Sequence, residues 1–268
     1  MKTWGWLIVL GAAVAAGAFA ARWIGAGFAA DKPKDDAAGI AVVELFTSEG
    51  CSSCPPADDL LGELVKGARE DGRKVFALSF HVDYWNRLGW TDPYSDAAYS
   101  RRQNDYAAAF QSDRVYTPQM IVNGGEEFVG SDRERARKSI DAALKVPSAA
   151  SVKVRLTDAG KKDDAALTAS YEVAKAPKGA VLNVALVERG LVSKVGRGEN
   201  GGGTLRHENV VRFFRTVRLD ESGKGEVELK PPADLVRKNA SVIAYVQKAD
   251  GGAVVGAAAV DIGAGETK

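Results

Sequence analysis

The chain has 268 residues, 46% hydrophobic and 26% charged, a globular composition with room for two domains. Its 36 basic and 35 acidic residues leave a formal charge of +1, without the basic excess of a nucleic-acid-binding protein. Two cysteines and two histidines, the histidines far apart in sequence, are too few ligands for a structural zinc site.

Residues 1–30 read as a targeting segment. Lys2 precedes an uncharged run from Thr3 to Ala21, rich in Ala, Val, Leu and Gly, and small residues suited to cleavage follow at Ala18–Ala20 or Gly27–Ala29. The alternative is an uncleaved anchor with Arg22 at its edge, which is the only membrane association expected. Either way the remainder is expected to be exported, to the periplasm or beyond, into an oxidising compartment where a disulfide persists. Residues 31–38 form a charged linker, Asp31-Lys32-Pro33-Lys34-Asp35-Asp36 at its centre.

A buried strand is predicted over Ile40–Phe46. The only two cysteines then stand as Cys51-Ser52-Ser53-Cys54, followed by Pro55-Pro56-Ala57-Asp58-Asp59, the prolines and acids of a helix start. Leu60, Leu61, Leu64 and Val65 give that helix its apolar stripe, and Lys74–Phe80 is a second buried strand, parallel to the first. Residues 81–116 are polar and aromatic, with a helix over Asp96–Gln111; Arg101, Arg102 and Gln103 are expected on its solvated face. Thr117-Pro118 leads into a strand over Gln119–Val122. A turn at Asn123-Gly124-Gly125, a return strand over Glu126–Val129 and a helix over Asp132–Leu144 complete a unit spanning 39–147.

From residue 148 the pattern changes to period-two alternation. Ser151–Leu156, Ala166–Val173, Leu182–Glu188, Val210–Leu219, Gly225–Leu229, Ser241–Gln247 and Val254–Val260 read as strands of an all-β, sandwich-like domain over 148–262, with a hairpin turn at Asp250-Gly251-Gly252. A short tail, 263–268, follows. His207 lies beside a Gly-rich stretch, Gly201-Gly202-Gly203, which leads into a strand and lacks the Gly-Lys-Ser/Thr ending of a phosphate loop. It is expected to be a long loop at the end of the sandwich, mobile in the first reading, with binding a partner or covering the redox site as the alternatives.

Cysteines at i and i+3 across a first helical turn are the sequence form of a redox-active dithiol. The helix N-terminus favours the thiolate of Cys51, the expected nucleophile, and Cys54 resolves the mixed disulfide. An inert disulfide is a poor alternative, because a ring this short constrains little of the unfolded chain. Glu44, an acid inside an apolar strand, is a candidate proton partner for Cys54, or a structural glutamate. His81 is a candidate proton shuttle, a ligand for Cu(I) beside the two thiolates, or a histidine satisfied by its surroundings. Tyr84, Trp85 and Trp90 are candidates for an aromatic wall that meets substrate.

The element order strand, CxxC, helix, strand, helix, Pro-strand, hairpin, helix resembles a thioredoxin fold. In that fold the two parallel strands end on one side of the sheet, which brings His81 and Asp83 toward the dithiol. The resemblance implies a cis Thr117–Pro118 bond facing the cysteines, with Thr117 and Pro118 meeting substrate. The segments Val43–Asp58, His81–Pro93 and Tyr116–Met120 further resemble the secreted, bacterial thioredoxin-like family catalogued as domain of unknown function 1223, over residues 40–262. Asn86 stands where that family is expected to carry an aspartate.

The expectation is therefore an α/β thioredoxin-like domain with a helical insertion, followed by a β domain. The expected function is that of an exported thiol–disulfide oxidoreductase without a cofactor, acting on a protein thiol or disulfide and recharged by a redox partner. A Cu(I)-binding or metallochaperone-like protein using Cys51, Cys54 and His81, and a non-catalytic interaction protein, are the alternatives.

Overall fold

The structure, a computed structural model, describes residues 1–2, 38–156, 167–249 and 251–262. The targeting segment beyond residue 2, nearly all of the linker, Ala166, Asp250 and the 263–268 tail lie outside the described residues. Among the described residues no helix is long and apolar enough to cross a membrane.

The first half runs β1 (Ala41–Thr47), α1 (Pro55–Asp71), β2 (Val75–His81), α2 (Ala97–Ala109), β3 (Gln119–Val122), β4 (Glu126–Val129) and α3 (Arg133–Ala143). Local chemistry sets the helix ends. Prolines open α1 and Gly72, at φ 64°, closes it in the left-handed region. Asp96 caps α2 by accepting from the Ala98 amide at 2.7 Å, and Asp132 caps α3 by accepting from Arg135 at 3.0 Å.

The second half adds β5 (Ser151–Leu156), β6 (Leu167–Ala174), β7 (Val181–Glu188), β8 (Leu191–Lys194), β9 (Thr204–His207), β10 (Val210–Arg218), β11 (Lys224–Leu229), β12 (Ala240–Gln247) and β13 (Val254–Asp261). β8 and β9 pair as a hairpin that carries the loop 195–203. One eight-stranded sheet runs in the order β13-β12-β7-β10-β2-β1-β3-β4, and a three-stranded sheet runs β11-β6-β5. The result is a mixed α/β architecture with a large central sheet and few helices. The change of pattern near residue 148 is not a break in that sheet, and strands from both halves share one hydrogen-bonded layer.

The seam between the halves is narrow. β1 and β2 are parallel with Thr47 opposite His81, whereas β10 meets β2 in parallel at one pair, Val210 opposite Ser79. Asn209 reinforces it: its carbonyl accepts from the Ser79 amide at 2.9 Å and its side chain donates to the Ala77 carbonyl at 2.8 Å. This stitch carries His207, two residues earlier, to the end of β2.

Strand alternation divides the core into layers. Ala41, Val43 and Leu45 of β1 pack with Leu60, Leu61 and Val65 of α1 and Ile140 of α3. Val42 and Phe46 face the other way, toward Tyr99 and Tyr106 of α2, and this layer continues across to Val187, Ile243 and Tyr245 of the second half. The three-stranded sheet covers the outer strands through Leu167, Val227 and Leu229 against Leu182, Leu186 and Val242. Each such fully buried side chain contributes about 1.5–3 kcal/mol, so α2 fastens both halves through one apolar layer.

Candidate functional site

Cys51 and Cys54 are joined as a disulfide at the N-terminus of α1, with Cys54 at the helix cap, and both are 0% exposed. Thr117–Pro118 is a cis peptide. The Thr117 carbonyl lies 3.8 Å from Cys51 Sγ, and the Trp85 indole donates to Thr117 Oγ1 at 2.8 Å. Gly130 lets these parts meet: its amide donates to the Pro118 carbonyl at 2.9 Å, and an added Cβ would sit 3.1 Å from Pro118 and 3.2 Å from Ala57 of α1. The expected grouping of Cys51, Cys54, Thr117, Pro118 and Trp85 is therefore present.

Beside α1 the chain buries two histidine–carboxylate pairs. His81 Nδ1 is 2.7 Å from Asp92 Oδ2, and His207 Nε2 is 3.2 Å from Glu49 Oε1. Asp92 also accepts from the Glu49 amide at 2.8 Å, and the Trp90 indole donates to Glu49 Oε2 at 2.7 Å. Burial pushes the Asp92 carboxyl up, but the charge of His81 and the hydrogen bonds from His81, Glu49 and Tyr94 outweigh it and hold the carboxyl below its usual range. Asn86 orders this turn, accepting from the Asp92 amide at 3.0 Å and donating to Ser95 Oγ at 2.9 Å. An amide supplies both roles where a carboxylate has only acceptors.

Asp58 completes the cluster. It lies one helical turn after Cys54, its amide donating to the Cys54 carbonyl at 3.1 Å, so its side chain covers the turn that carries Cys54. Its Oδ2 is 3.9 Å from His207 Nδ1. Desolvation pushes its carboxyl up to about 7, against the lowering pull of His207 and Thr47. His207 Nδ1 and His81 Nε2 are buried without a hydrogen-bond partner among the described residues.

The loop 195–203, between β8 and β9, lies over the dithiol. Asn200 Nδ2 donates to the carbonyls of Glu49 and Cys51, both at 2.9 Å, and Glu199 Oε2 accepts from the Ser52 amide at 2.9 Å. That hydrogen bond holds the Glu199 carboxyl below its usual range. Gly196 and Gly198 lie against Trp90, where an added Cβ would approach the ring to 3.1 Å and Trp90 Cβ to 3.3 Å. Of the readings open for the Gly-rich stretch, a mobile loop gives way to a segment docked on the edge of the CxxC.

Several expected site residues are placed elsewhere. Glu44 shares the α2 face of β1 with Val42 and Phe46, opposite the face packed against α1. It pairs with Arg102, at 2.6 Å, and accepts from the Tyr245 hydroxyl. Its proposed service to Cys54 is therefore corrected: strand alternation turns it from the dithiol. Arg102 is not solvated but enclosed, its guanidinium 4.9 Å from the Phe214 ring and 5.0 Å from that of Tyr106. Gln103 is buried and donates to Tyr116 and Gln119, whereas Arg101 is exposed as expected. Asp83 accepts from Ser100 of α2 at 2.5 Å, and Tyr84 packs into the α2 layer with its hydroxyl donating to Gln103 at 3.2 Å. Trp85 packs against the same layer, while Trp90 lies against loop 195–203. His81 contacts Asp92, Tyr94 and His207. Among the described residues no group of three or more His, Cys, Asp or Glu side chains is placed to hold a metal ion.

Sequence reasoning missed Glu49, Asp58, Asp92, Glu199 and Asn200 as site residues, and named His207 only for the Gly-rich loop beside it. Glu49, Asp58 and Asp92 do lie in the segments that carry the family resemblance, and Asp58 is one turn from Cys54. Glu199 and Asn200 carry no local signal.

The chain matches the family described as Protein of unknown function (DUF1223) over residues 42–247, and it belongs to that family. A crystal structure of an Agrobacterium tumefaciens protein, a structural-genomics target, is similar at 29% identity and a TM-score of 0.64, covering 86% of this chain and 98% of that one. HBP35 of Porphyromonas gingivalis shares the fold at 15% identity and a TM-score of 0.60, over 84% of this chain and 75% of that one. Among curated proteins none matches the sequence significantly.

Proposed function

We propose that this member of the DUF1223 family is an exported thiol–disulfide oxidoreductase with a thioredoxin-like core. The observation that carries the reading is the Cys51–Cys54 disulfide at a helix N-terminus with the Thr117 carbonyl of a cis-proline peptide 3.8 Å from Cys51 Sγ. The strand order β2-β1-β3-β4, with β1 and β2 parallel and β3 antiparallel to β1, supports the thioredoxin-like assignment. Export rests on the sequence of residues 1–30.

In this reading the Cys51 thiolate attacks a substrate disulfide. One substrate sulfur leaves as a thiolate and the other stays bonded to Cys51. Cys54 then gives up its proton and attacks Cys51 Sγ, the mixed disulfide breaks and the second substrate thiolate departs. Two electrons pass to the substrate, and the same steps run in reverse oxidise a dithiol. Asp58 takes the role first assigned to Glu44: its carboxylate accepts the Cys54 proton in one direction and its acid form returns it in the other. His207 flanks that carboxyl. Substrate and recycling partner are a protein thiol or disulfide and a second redox protein.

The test is turnover of an insulin-type protein disulfide by the full chain, wild type against Cys51→Ser. Loss of turnover in the variant, with a mixed disulfide trapped on Cys51 in Cys54→Ser, is expected. Turnover that survives Cys51→Ser removes the mechanism.

A further inference from the structure

Exchange at a disulfide needs a partner sulfur in line with the one attacked, yet both sulfur-bearing residues are 0% exposed. Loop 195–203 docks on the Cys51–Ser52 edge. Its hold is a set of bonds to main-chain groups: an acceptor supplied by Glu199 to the Ser52 amide, and donors supplied by Asn200 to the Cys51 and Glu49 carbonyls. A polypeptide backbone carries the same groups. An extended strand offers a carbonyl and an N–H at each residue, the same acceptor and donor types that Glu199 and Asn200 supply. A small thiol or disulfide has no such pair at that spacing.

Resting on the thiol–disulfide reading above, we propose that Glu199 and Asn200 are specificity-determining residues. They hold the loop over Cys51 against small thiols and disulfides, and the backbone of an extended polypeptide bearing the substrate cysteine displaces them. The loop is suited to release. Glu199 is exposed and Asn200 half-buried, so their bonds exchange with water at small net cost. Gly196 and Gly198 leave no side chains between the loop and Trp90, and the closed loop rests on the ring without interlocking. Trp85, on the other side of Gly50, keeps Thr117 in place when the loop departs, because it bonds Thr117 and not the loop.

The experiment reads access to the disulfide rather than turnover. The oxidised full chain is reduced either by dithiothreitol or by an unstructured cysteine-containing peptide, and release of the 51–54 bond is followed in wild type and in Glu199→Ala/Asn200→Ala. In the variant the dithiothreitol rate is expected to rise on the order of tenfold, equivalent to the loss of about 1.4 kcal/mol of loop docking. The peptide rate is expected to change less than about threefold on the same scale, so selectivity for the peptide falls. Equal dithiothreitol rates in the two proteins, or equal acceleration of both reductants, overturns the proposal. Should the double variant fail to fold, amide exchange of wild type decides: a protected Ser52 amide supports the closed loop, and an unprotected one overturns it. Chemical reduction requires no enzymatic activity. A protein that is gated as expected but turns over no disulfide removes the oxidoreductase reading, whereas normal turnover with an ungated disulfide removes this proposal alone.

Discussion

His207, from the second half of the chain, stands edge-on against His81 with ring centroids 4.8 Å apart. Each ring is oriented by its own carboxylate, Asp92 for His81 and Glu49 for His207, and His207 faces Asp58 in the α1 turn that follows Cys54. The sequence separates these groups by more than a hundred residues, and the β2–β10 seam brings them together.

The raised carboxyl of Asp58 gives a signed stability prediction. Its usual value is 3.8 and its folded value about 7, so between these pH values the folded protein binds more protons than the unfolded chain. Stability from this group is fully present below about pH 4 and is lost as pH rises through 7, on the order of 4 kcal/mol in all. Asp58→Asn removes the dependence. Melting temperatures of variant and wild type should agree at pH 4, with the variant increasingly the more stable up to pH 8; the reverse trend would mean that the carboxyl is held ionised.

Glu44→Gln separates a structural acid from a redox acid. The substitution leaves the enclosed Arg102 without its partner charge, and breaking such a pair costs about 3–5 kcal/mol. Chemical denaturation should show that loss, while the pH dependence of 51–54 reduction stays that of wild type. A displaced pH profile would return Glu44 to the dithiol chemistry.

Gly130→Ala should act on the site through packing. The new methyl would meet Leu45 Cδ1 at 2.6 Å, which a side-chain end can yield, but also Pro118 and Ala57 near the limit of contact. Overpacking of this kind costs about 1–3 kcal/mol. It separates the Pro118 turn from α1, so both thermal stability and the rate of disulfide exchange should fall; an unchanged rate would show that the Pro118 turn does not position the exchange.

Reduction of the 51–54 bond should leave the protein folded. A four-residue ring restricts the unfolded chain little, about 2 kcal/mol by the loop-entropy relation. Denaturation midpoints with and without a reductant test this, and global unfolding on reduction would make the disulfide a structural staple instead of a redox group.

The sequence by itself determined the pieces whose physics is local. The CxxC, the prolines that open α1, the helices beginning near Asp96 and Asp132 and the apolar strands around Ile40–Phe46 and Lys74–Phe80 depend on residues within a turn or two of each other. They appear where the pattern put them. The family segments were legible for the same reason, since they are continuous. Tertiary structure alone decided how the chain closes on its dithiol. Glu44 looked like a proton partner because seven residues separate it from Cys51, but strand alternation, not distance along the chain, sets its face. Arg102 looked solvated because a weakly patterned helix hides which side is covered, and the covering rings of Phe214 and Tyr245 come from the second half. His207, Glu199 and Asn200 reach the cysteines only because Asn209 stitches β10 to the end of β2. Such pairing is chosen by which buried groups can satisfy one another across more than a hundred residues, and that choice leaves no periodicity to read.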